Sequence, residues 1–212
     1  MLIPKNVAKS MVSFASSDAS RYTLVGVSVK RTGCPDASCE AVASDGKVLA
    51  RARWTDNPQE YPSIPGMADI QAVDGFTTII PADALADMAK SAPKPRKNGM
   101  LPVLQNVAIQ EAGSNGRIQM ATTDLESPSL RTVATVEGTY PKYDNAIPTG
   151  SPALRIRFDV RILSAALKAM SGMVSSEQVD ICIWEPDRPI MVEGKMDDGG
   201  RIDVLVMPIA IR

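Results

Sequence analysis

Hydrophobic and polar positions repeat one order of predicted elements three times along the chain. Each repeat begins with a short apolar strand, continues into a helix with one apolar stripe, and ends with three strands. The repeats span about residues 1–55, 76–138 and 153–212. Three such βαβββ units predict an α+β fold whose sheets are mainly antiparallel.

Each predicted helix carries apolar side chains three and four residues apart, a spacing that places them on one face. The stripes are Val7, Met11 and Phe14 in the first helix, Leu85, Met88 and Ala92 in the second, and Leu163, Leu167 and Met170 in the third. The first helix, in PKNVAKSMVSFASSD, starts near Pro4, which suits a first helical turn. Asp159 is a candidate N-cap for the third helix, in VRILSAALKAM.

Short turn signals separate the predicted strands. The clearest is Asp45-Gly46 in EAVASDGKVLARARW, because glycine adopts the positive φ of a tight hairpin without steric cost. AGSNGR and DDGG predict two further turns, VDICIWEP predicts a strand, and ALRIRF at 153–158 predicts the first strand of the third repeat. Two connectors rich in proline and glycine, within 56–75 and 140–152, predict linkers.

Basic residues lie opposite the apolar stripe on two of the predicted helices. They are Lys5 and Lys9 on the first helix and Arg161 and Lys168 on the third. On the second helix, Lys90 shares its outer face with Asp83 and Asp87, and the basic stretch KSAPKPRK follows. The net charge of −1 gives the whole chain no attraction to nucleic acid, so DNA contact would depend on such local clusters. The alternative is that these are ordinary solvated helix faces.

The composition excludes several kinds of active site. The chain has no histidine, which rules out Ser-His and Cys-His nucleophile pairs, and it has no glycine-rich phosphate-binding motif. Asp124 and Glu126 would share a strand face, an arrangement more typical of a solvated surface than of catalytic carboxylates. We therefore expect no catalytic residue and no cofactor. An enzyme on an unrelated α+β fold is the alternative that these observations disfavour.

The cysteines indicate a reducing compartment. Cys34, Cys39 and Cys182 are too few for a disulfide framework, and Cys34 and Cys39 would need two more ligands to hold a metal ion. The first residues, MLIPKNVAKS, lack the apolar region of a signal peptide, and no apolar window of membrane-spanning length occurs. We expect a cytoplasmic protein with no metal site and no membrane partner.

Four stretches, in order along the chain, resemble the DNA sliding clamps, most closely the bacterial DNA polymerase III β clamp. VASDGKVLA (42–50) is similar to the clamp's ATDGHRLA, and VEGTYPKYDNAIP (136–148) is similar to its eGxyPdYxxviP. FDVRILSAALKAM (158–170) resembles FNxxYLxdaLxal, and VLVMPIAI (204–211) resembles yvvMPmrl. ATTDLES (121–127) also resembles clamp strands. The match covers a middle domain followed by the second half of a last domain.

The resemblance implies the DNA-clamp fold, in which two βαβββ units form a domain, the helices line a central hole and the sheets lie outside. A full domain would occupy 1–148, with units 1–55 and 76–138 joined by a linker at 56–75, and a half-domain would occupy 149–212. The helices would bring basic side chains to double-stranded DNA without reading its sequence, as expected of a nucleoid-associated protein. These side chains are Lys5, Lys9, Lys90, Arg161 and Lys168.

The resemblance also implies a hydrophobic pocket that docks a short peptide of a DNA polymerase, clamp loader or repair factor. The matching positions are Ser44, Gly46 and Leu49 in the hairpin, Pro148 at the domain end, and Leu205, Met207 and Ile209 near the C-terminus. Aliphatic and methionine side chains suit leucine and phenylalanine anchors. The hairpin departs from the family pattern, since Ser44, Lys47 and Val48 stand where the clamp has Thr, His and Arg. Burial in an ordinary strand is the alternative for Leu49 and Leu205.

The third repeat has no partner repeat within the chain, whereas the β clamp has six repeats and other clamps have four. A half-domain of about 60 residues buries little apolar surface and leaves open strand edges. We therefore predict a homo-oligomer, at least a dimer, through residues 153–212, with a ring of two dimers as a further possibility. The expected function is that of a compact sliding clamp that tethers replication proteins to DNA. The alternative is an interaction module or decoy that binds clamp-binding peptides without encircling DNA.

Overall fold

The computed structural model describes residues 1–33, 37–56, 63–67, 75–93, 102–113, 116–197 and 199–209. The helices in this part are α1 (Lys5–Val12), α2 (Ala82–Ser91) and α3 (Val160–Ser171). The strands are β1 (Leu2–Pro4), β2 (Gly26–Thr32), β3 (Ala37–Ser44), β4 (Leu49–Asp56), β5 (Thr77–Pro81), β6 (Asn106–Glu111), β7 (Arg117–Thr123), β8 (Pro128–Ala134), β9 (Asp180–Cys182), β10 (Ile190–Lys195) and β11 (Arg201–Val206). The chain divides into two compact units, Met1–Tyr143 (unit 1) and Asp144–Arg212 (unit 2).

Unit 1 contains the first two repeats, and each repeat contributes three strands to its own antiparallel sheet. The fourth strand of each sheet comes from the other repeat, giving the orders β4-β3-β2-β5 and β1-β6-β7-β8. In this exchange Ile3 lies opposite Val107, and Ile80 lies opposite Val27. Because each repeat completes the other's sheet, the two repeats of unit 1 form a single folding body.

Both repeats of unit 1 share one apolar core. The predicted stripe of α2 is buried, since Leu85, Met88 and Ala92 are all almost inaccessible, and the stripe of α1 is buried at Met11. The spacing of apolar residues therefore predicted the inward face of both helices correctly.

A charged pair is also buried in unit 1. The Arg31 guanidinium is 3.2 Å from the Asp56 carboxylate, and both side chains are inaccessible to solvent.

Unit 2 contains the third repeat alone. Its three strands form an antiparallel sheet in the order β11-β10-β9, and α3 packs on one face of that sheet. Asp159 is the N-cap of α3, because its carboxylate accepts the backbone N–H of Arg161 at 2.8 Å, as predicted. The core consists of Met170, Ile190, Val192 and Val206, with Leu163 and Leu167 only partly buried against it.

The structure corrects three predicted element boundaries. Residues 153–158 form no strand, because an alternating sequence still needs a hydrogen-bonding partner to make a ladder. Helix α1 ends at Val12 rather than running to Asp18, since the serines that follow compete for backbone hydrogen bonds; Ser16 Oγ accepts the N–H of Asp18 at 3.1 Å. The strand in VDICIWEP is limited to β9, the three residues that pair with β10.

No helix in the described residues is long and apolar enough to cross a membrane. The predicted α+β class with three helices and antiparallel sheets is confirmed.

Candidate peptide-binding and DNA-facing surfaces

The hairpin between β3 and β4 places Ser44, Gly46 and Leu49 at one end of unit 1. Ser44 and Leu49 lie opposite each other as the last residue of β3 and the first of β4, and both are half-buried. Gly46 has a φ of +90° and is exposed, which confirms the predicted role of Asp45-Gly46 in the turn.

Hydrogen bonds fix the shape of this turn. The Asp45 carboxylate accepts the backbone N–H groups of Val48 and Lys47, both at 2.8 Å, and these bonds hold the pKa of Asp45 below its usual value. The Arg21 guanidinium donates to the Asp45 carbonyl at 2.8 Å. The turn is therefore held from within and from a neighbouring segment.

Two tyrosines of the segment 136–148 lie against this hairpin, and the sequence interpretation missed both as candidate site residues. Burial raises the pKa of Tyr140 to about 12, and its hydroxyl lies beside the Ser44 backbone without a well-formed hydrogen bond. The Tyr143 hydroxyl donates to the Glu40 carboxylate, and the two tyrosine rings meet edge to face with centroids 6.4 Å apart. The sequence signal that could have identified them is their position in VEGTYPKYDNAIP, one of the stretches that resemble the sliding clamps.

Glu40 links this segment to the sheet of unit 1. Its carboxylate accepts a hydrogen bond from the Arg53 guanidinium at 2.7 Å, and Arg51 lies 3.9 Å away. Partial burial raises the pKa of Glu40, but the hydrogen bonds from Tyr143 and Arg53 outweigh burial and leave the pKa below its usual value. The contact joins β3 to residues more than 100 positions further along the chain.

Unit 2 presents an exposed apolar run after the middle of β11. Leu205 and Met207 are each 66% exposed and Ile209 is 47% exposed. Leu205 lies opposite Met191, on the sheet face away from the core residue Val206. Ordinary strand burial, the alternative interpretation of Leu205, is therefore wrong. Pro148 is also exposed in unit 2. That these residues and the hairpin form one pocket stays a prediction.

The predicted DNA-facing residues of unit 1 differ in their surroundings. Lys9 is exposed on α1, whereas the half-buried Lys5 donates to the carbonyls of Ala92 and Pro93, which follow α2. A cation at this place satisfies carbonyls at the end of the helix and complements its dipole. Lys5 therefore has a structural role that the sequence interpretation did not foresee.

The exposed face of α2 is mixed in charge. Lys90 is 3.5 Å from Asp87, and Asp87 also accepts a hydrogen bond from Arg131 at 2.9 Å. Asp83 is exposed one turn earlier. Among the described residues, Lys90 thus lies in a local network of both signs.

In unit 2, Arg161 and Lys168 are both exposed on α3. The Arg161 guanidinium makes two hydrogen bonds to the Asp159 carboxylate, at 3.2 and 2.9 Å, and this contact raises the pKa of Arg161. The KSAPKPRK stretch beyond Pro93, and Cys34, lie outside the described residues.

Two shallow depressions on the described surface have volumes of about 410 and 240 Å³, and none of the predicted peptide-binding residues lines either of them. Within the described ranges, no group of three or more cysteine, aspartate and glutamate side chains is placed to hold a metal ion.

Known structures share this architecture. The chain superimposes on the Bacillus subtilis DNA polymerase sliding clamp with a TM-score of 0.71 and 18% identity, covering 98% of this chain and 48% of the clamp. The Caulobacter crescentus β sliding clamp gives a TM-score of 0.69 and 19% identity, covering 98% of this chain and 50% of the clamp. A Pseudomonas aeruginosa sliding clamp bound to griselimycin gives a TM-score of 0.68 and 17% identity, covering 98% of this chain and 49% of the clamp.

The chain thus spans about half the length of the sliding clamps that it matches. No protein-family model matches it, and a search of curated protein sequences found no match. The likeness to β clamps inferred from four sequence stretches is confirmed by structure, since the superpositions cover 98% of this chain with TM-scores of 0.69 and 0.71. The chain has the fold of the bacterial β sliding clamps.

Proposed function

We propose that this protein is a clamp-like tether that associates with double-stranded DNA and holds replication proteins through a hydrophobic peptide-binding surface. The observation that carries the proposal is the exposed apolar run of Leu205, Met207 and Ile209 in a chain with the sliding-clamp fold. The partners would be a DNA polymerase, a clamp loader or other proteins with a clamp-binding peptide. In this proposal the protein catalyses no reaction.

The apolar run has the chemistry of a peptide-docking surface. Contiguous exposed apolar side chains commonly mark interaction sites, and a central methionine adapts to different leucine and phenylalanine anchors. The P. aeruginosa clamp of the same fold carries bound griselimycin, which supports a ligand-binding role for this kind of scaffold. We propose Pro148 of unit 2 and the hairpin residues Ser44, Gly46 and Leu49 of unit 1 as further residues that contact the peptide.

Peptide binding can be tested by fluorescence anisotropy with a labelled peptide of the Gln-Leu-x-Leu-Phe type. Met207→Lys should weaken binding at least about tenfold, because a charge replaces an anchor of the apolar surface. Met173→Lys is the matched control, since Met173 is also an exposed methionine of unit 2 and should leave affinity unchanged. Equal affinity in the wild type and both variants would refute the peptide surface.

DNA association can be tested by titration over a range of salt concentrations. Charge reversal at Arg161 and Lys168 should lower affinity and reduce the slope of log K against log salt by about 2, since each phosphate contact contributes about one counterion. The control reverses Arg188 and Lys195, two exposed cations of unit 2 outside the helix. The same loss in both double variants would mean that α3 is not the DNA-facing element.

A second candidate function is an interaction module or decoy that binds the same peptides without DNA. It is favoured by the contacts of Lys5 and Arg161, which are engaged within the chain, and by the acidic neighbours of Lys90. Peptide binding together with absent DNA association at low salt would select this function.

A further inference from the structure

The exchanged strands of unit 1 show what a complete pair of repeats requires. The strand before α2, β5, adds to the edge of β2 in the other repeat, and the strand before α1, β1, adds to β6. Each repeat therefore has a donor segment before its helix and an acceptor edge on the first strand after its helix. In unit 1, both donor segments and both acceptor edges are paired.

Unit 2 has the same acceptor edge with no strand on it among the described residues. Its sheet has the order β11-β10-β9, so β9 takes the place that β2 and β6 hold in unit 1. Lys195 is the last residue of β10 before its hairpin, and Ser44 is the last residue of β3 before its hairpin, so these two positions correspond. With this alignment, the strand pairings make Ile181 correspond to Val29 and Val179 correspond to Val27. An unpaired strand edge is a template for an added strand.

Residues 154–158 of unit 2 take the place of the donor segment. Phe158 precedes the N-cap Asp159 as Ile80 precedes the N-cap Pro81. The backbone repeats the same contact, because Ile209 N–H donates to the Arg157 carbonyl at 2.7 Å, just as Val136 N–H donates to the Ile79 carbonyl at 2.9 Å. The segment is therefore already held on one side in the manner of β5.

The other side of this segment is the side that pairs in unit 1. Backbone groups alternate in direction along an extended chain, and the Phe76 carbonyl accepts the Arg31 N–H at 2.8 Å on the side opposite to Ile79. By the same alternation, Leu154, Ile156 and Phe158 direct their backbone groups away from Ile209. Unit 2 therefore carries a donor segment whose second bonding side corresponds to the side of β5 that pairs with β2, in addition to an acceptor edge.

The side chains that pairing covers in unit 1 are exposed in unit 2. Val29, which faces the core of unit 1, is fully buried, whereas Ile181, which lies opposite the core residue Val192, is 54% exposed. On the helices, Ala84 of α2 is 2% exposed and the corresponding Ile162 of α3 is 59% exposed. The exposed surface is the one that a second helix and a fourth strand cover in unit 1.

We propose that unit 2 forms a two-fold dimer with a second copy of the chain, in which residues 154–158 of each copy add to the β9 edge of the other. The donor and the acceptor lie in the same unit, so one exchange creates the reciprocal one and the contact closes. Applying the register of unit 1 puts Phe158 opposite the partner's Val179 and Ile156 opposite the partner's Ile181. This goes beyond the proposed function, gives a contact for the homo-oligomer expected from the sequence, and does not depend on DNA or peptide binding.

Charged side chains on the outer face of the sheet are also consistent with the proposed pairing of residues 154–158 with β9. Asp180, Glu193 and Asp203 lie directly opposite one another across the three strands, forming an acidic row on the outer face of the sheet. Like charges in such positions are unfavourable, and Arg201 forms ion pairs with Glu193 and Asp203. The proposed pairing puts Arg157 opposite the partner's Asp180 and so adds a cation at the open end of the row.

A disulfide can report the register. The pairing puts Arg155 opposite the partner's native Cys182, at a position without ladder hydrogen bonds, where Cα atoms are about 4.5 Å apart and a disulfide can form. In a Cys34→Ser background, Arg155→Cys should give a covalent dimer on mild oxidation. Arg155→Cys with Cys182→Ser, and Arg157→Cys with Cys182 retained, should not. Absence of the first cross-link, or equal cross-linking in the Arg157→Cys control, would overturn the proposed strand pairing.

Light scattering of the full chain tests the dimer itself. The wild type at micromolar concentration should have at least twice the 22.6 kDa mass of one chain. Ile181→Asp should raise the dimer dissociation constant at least about 100-fold, because a charge would be buried at the contact. Leu205→Asp, on the outer face of the same sheet, should remain dimeric. A monomeric wild type with native circular dichroism, or a fully dimeric Ile181→Asp, would overturn the proposal.

Discussion

Units 1 and 2 are built from the same repeat, yet they differ in how far the repeat is buried. Among the described residues, 27 buried hydrophobic side chains lie in unit 1 and five lie in unit 2. The difference exceeds the two-to-one ratio of repeats, so it does not follow from size alone. It arises because two repeats of unit 1 cover each other's helices and sheet edges, whereas the repeat of unit 2 has no such cover within its unit. A single βαβββ repeat thus leaves apolar surface and a strand edge uncovered, and its stability depends on a partner repeat that covers them.

The largest expected effect comes from placing a charge at corresponding positions in the two units. Val29→Asp should destabilise unit 1 by more than about 4 kcal/mol, because the carboxylate would be buried without a partner. The cost should be independent of protein concentration, unlike that of Ile181→Asp in unit 2. Urea unfolding followed by the fluorescence of Trp54, which lies in unit 1, measures it. A loss under 1 kcal/mol would contradict the described core.

The second-largest expected effect is a difference between the two units in how their stability depends on protein concentration. If unit 2 is completed by a second copy, a tenfold increase in concentration should stabilise it by about 1.4 kcal/mol per dimer, while unit 1 stays unchanged. The two tryptophans allow this comparison, since Trp54 lies in unit 1 and Trp184 in unit 2. Trp54→Phe and Trp184→Phe variants isolate each signal. A Trp184 transition that does not move with concentration would argue for a self-sufficient unit 2.

A smaller effect distinguishes the two lysines of α1. Lys5→Met should destabilise unit 1 by about 1 kcal/mol, because the carbonyls of Ala92 and Pro93 lose a charged donor. Lys9→Met is the control and should change stability by less than about 0.5 kcal/mol, since Lys9 is exposed. Thermal unfolding of both variants gives the comparison. Equal effects would mean that the contact at the end of α2 contributes nothing.

The smallest effect concerns the attachment of the 136–143 segment to unit 1. Because the folded pKa of Glu40 is lowered, its contribution is complete above the unfolded pKa and is lost as the pH falls through the folded pKa. Glu40→Gln should therefore cost about 0.5 to 1 kcal/mol at pH 7 and less in acid. Tyr143→Phe tests the same contact from the other side. A Glu40→Gln penalty that grows in acid would show the assignment to be wrong.

Local patterns predicted the helices and hairpins because their information lies in neighbouring residues. The stripe of Leu85 and Met88, the Asp159 N-cap and the Asp45-Gly46 turn all follow from spacing or from one residue's backbone preference. The strand exchange could not be obtained in this way, since β1 pairs with a strand about 100 residues away. The alternation in 153–158 looks like a strand for the same local reasons, but the ladder that makes a strand needs a second chain segment.

The candidate site, like the fold, was predictable from the sequence only where the information lies in neighbouring residues. The family-like stretches indicated Leu205, Met207 and Ile209, and only the pairing of β11 with β10 shows that Leu205 faces away from the core. The role of Lys5 depends on carbonyls 87 and 88 residues away in sequence. Charge spacing on a helix therefore identified candidate cations, but whether a cation is engaged within the chain depends on tertiary packing.

The exchanged strands of unit 1 also make it suitable for fragment complementation. A cut between Asp56 and Gly75 would leave one fragment with β1 to β4 and another with β5 to β8, each lacking the fourth strand of its own sheet. Neither fragment can complete its four-stranded sheet alone, while the pair holds all eight strands described for unit 1. Each fragment would therefore report the presence of the other, so unit 1 could serve as a split scaffold whose reassembly signals that two fused partners have met.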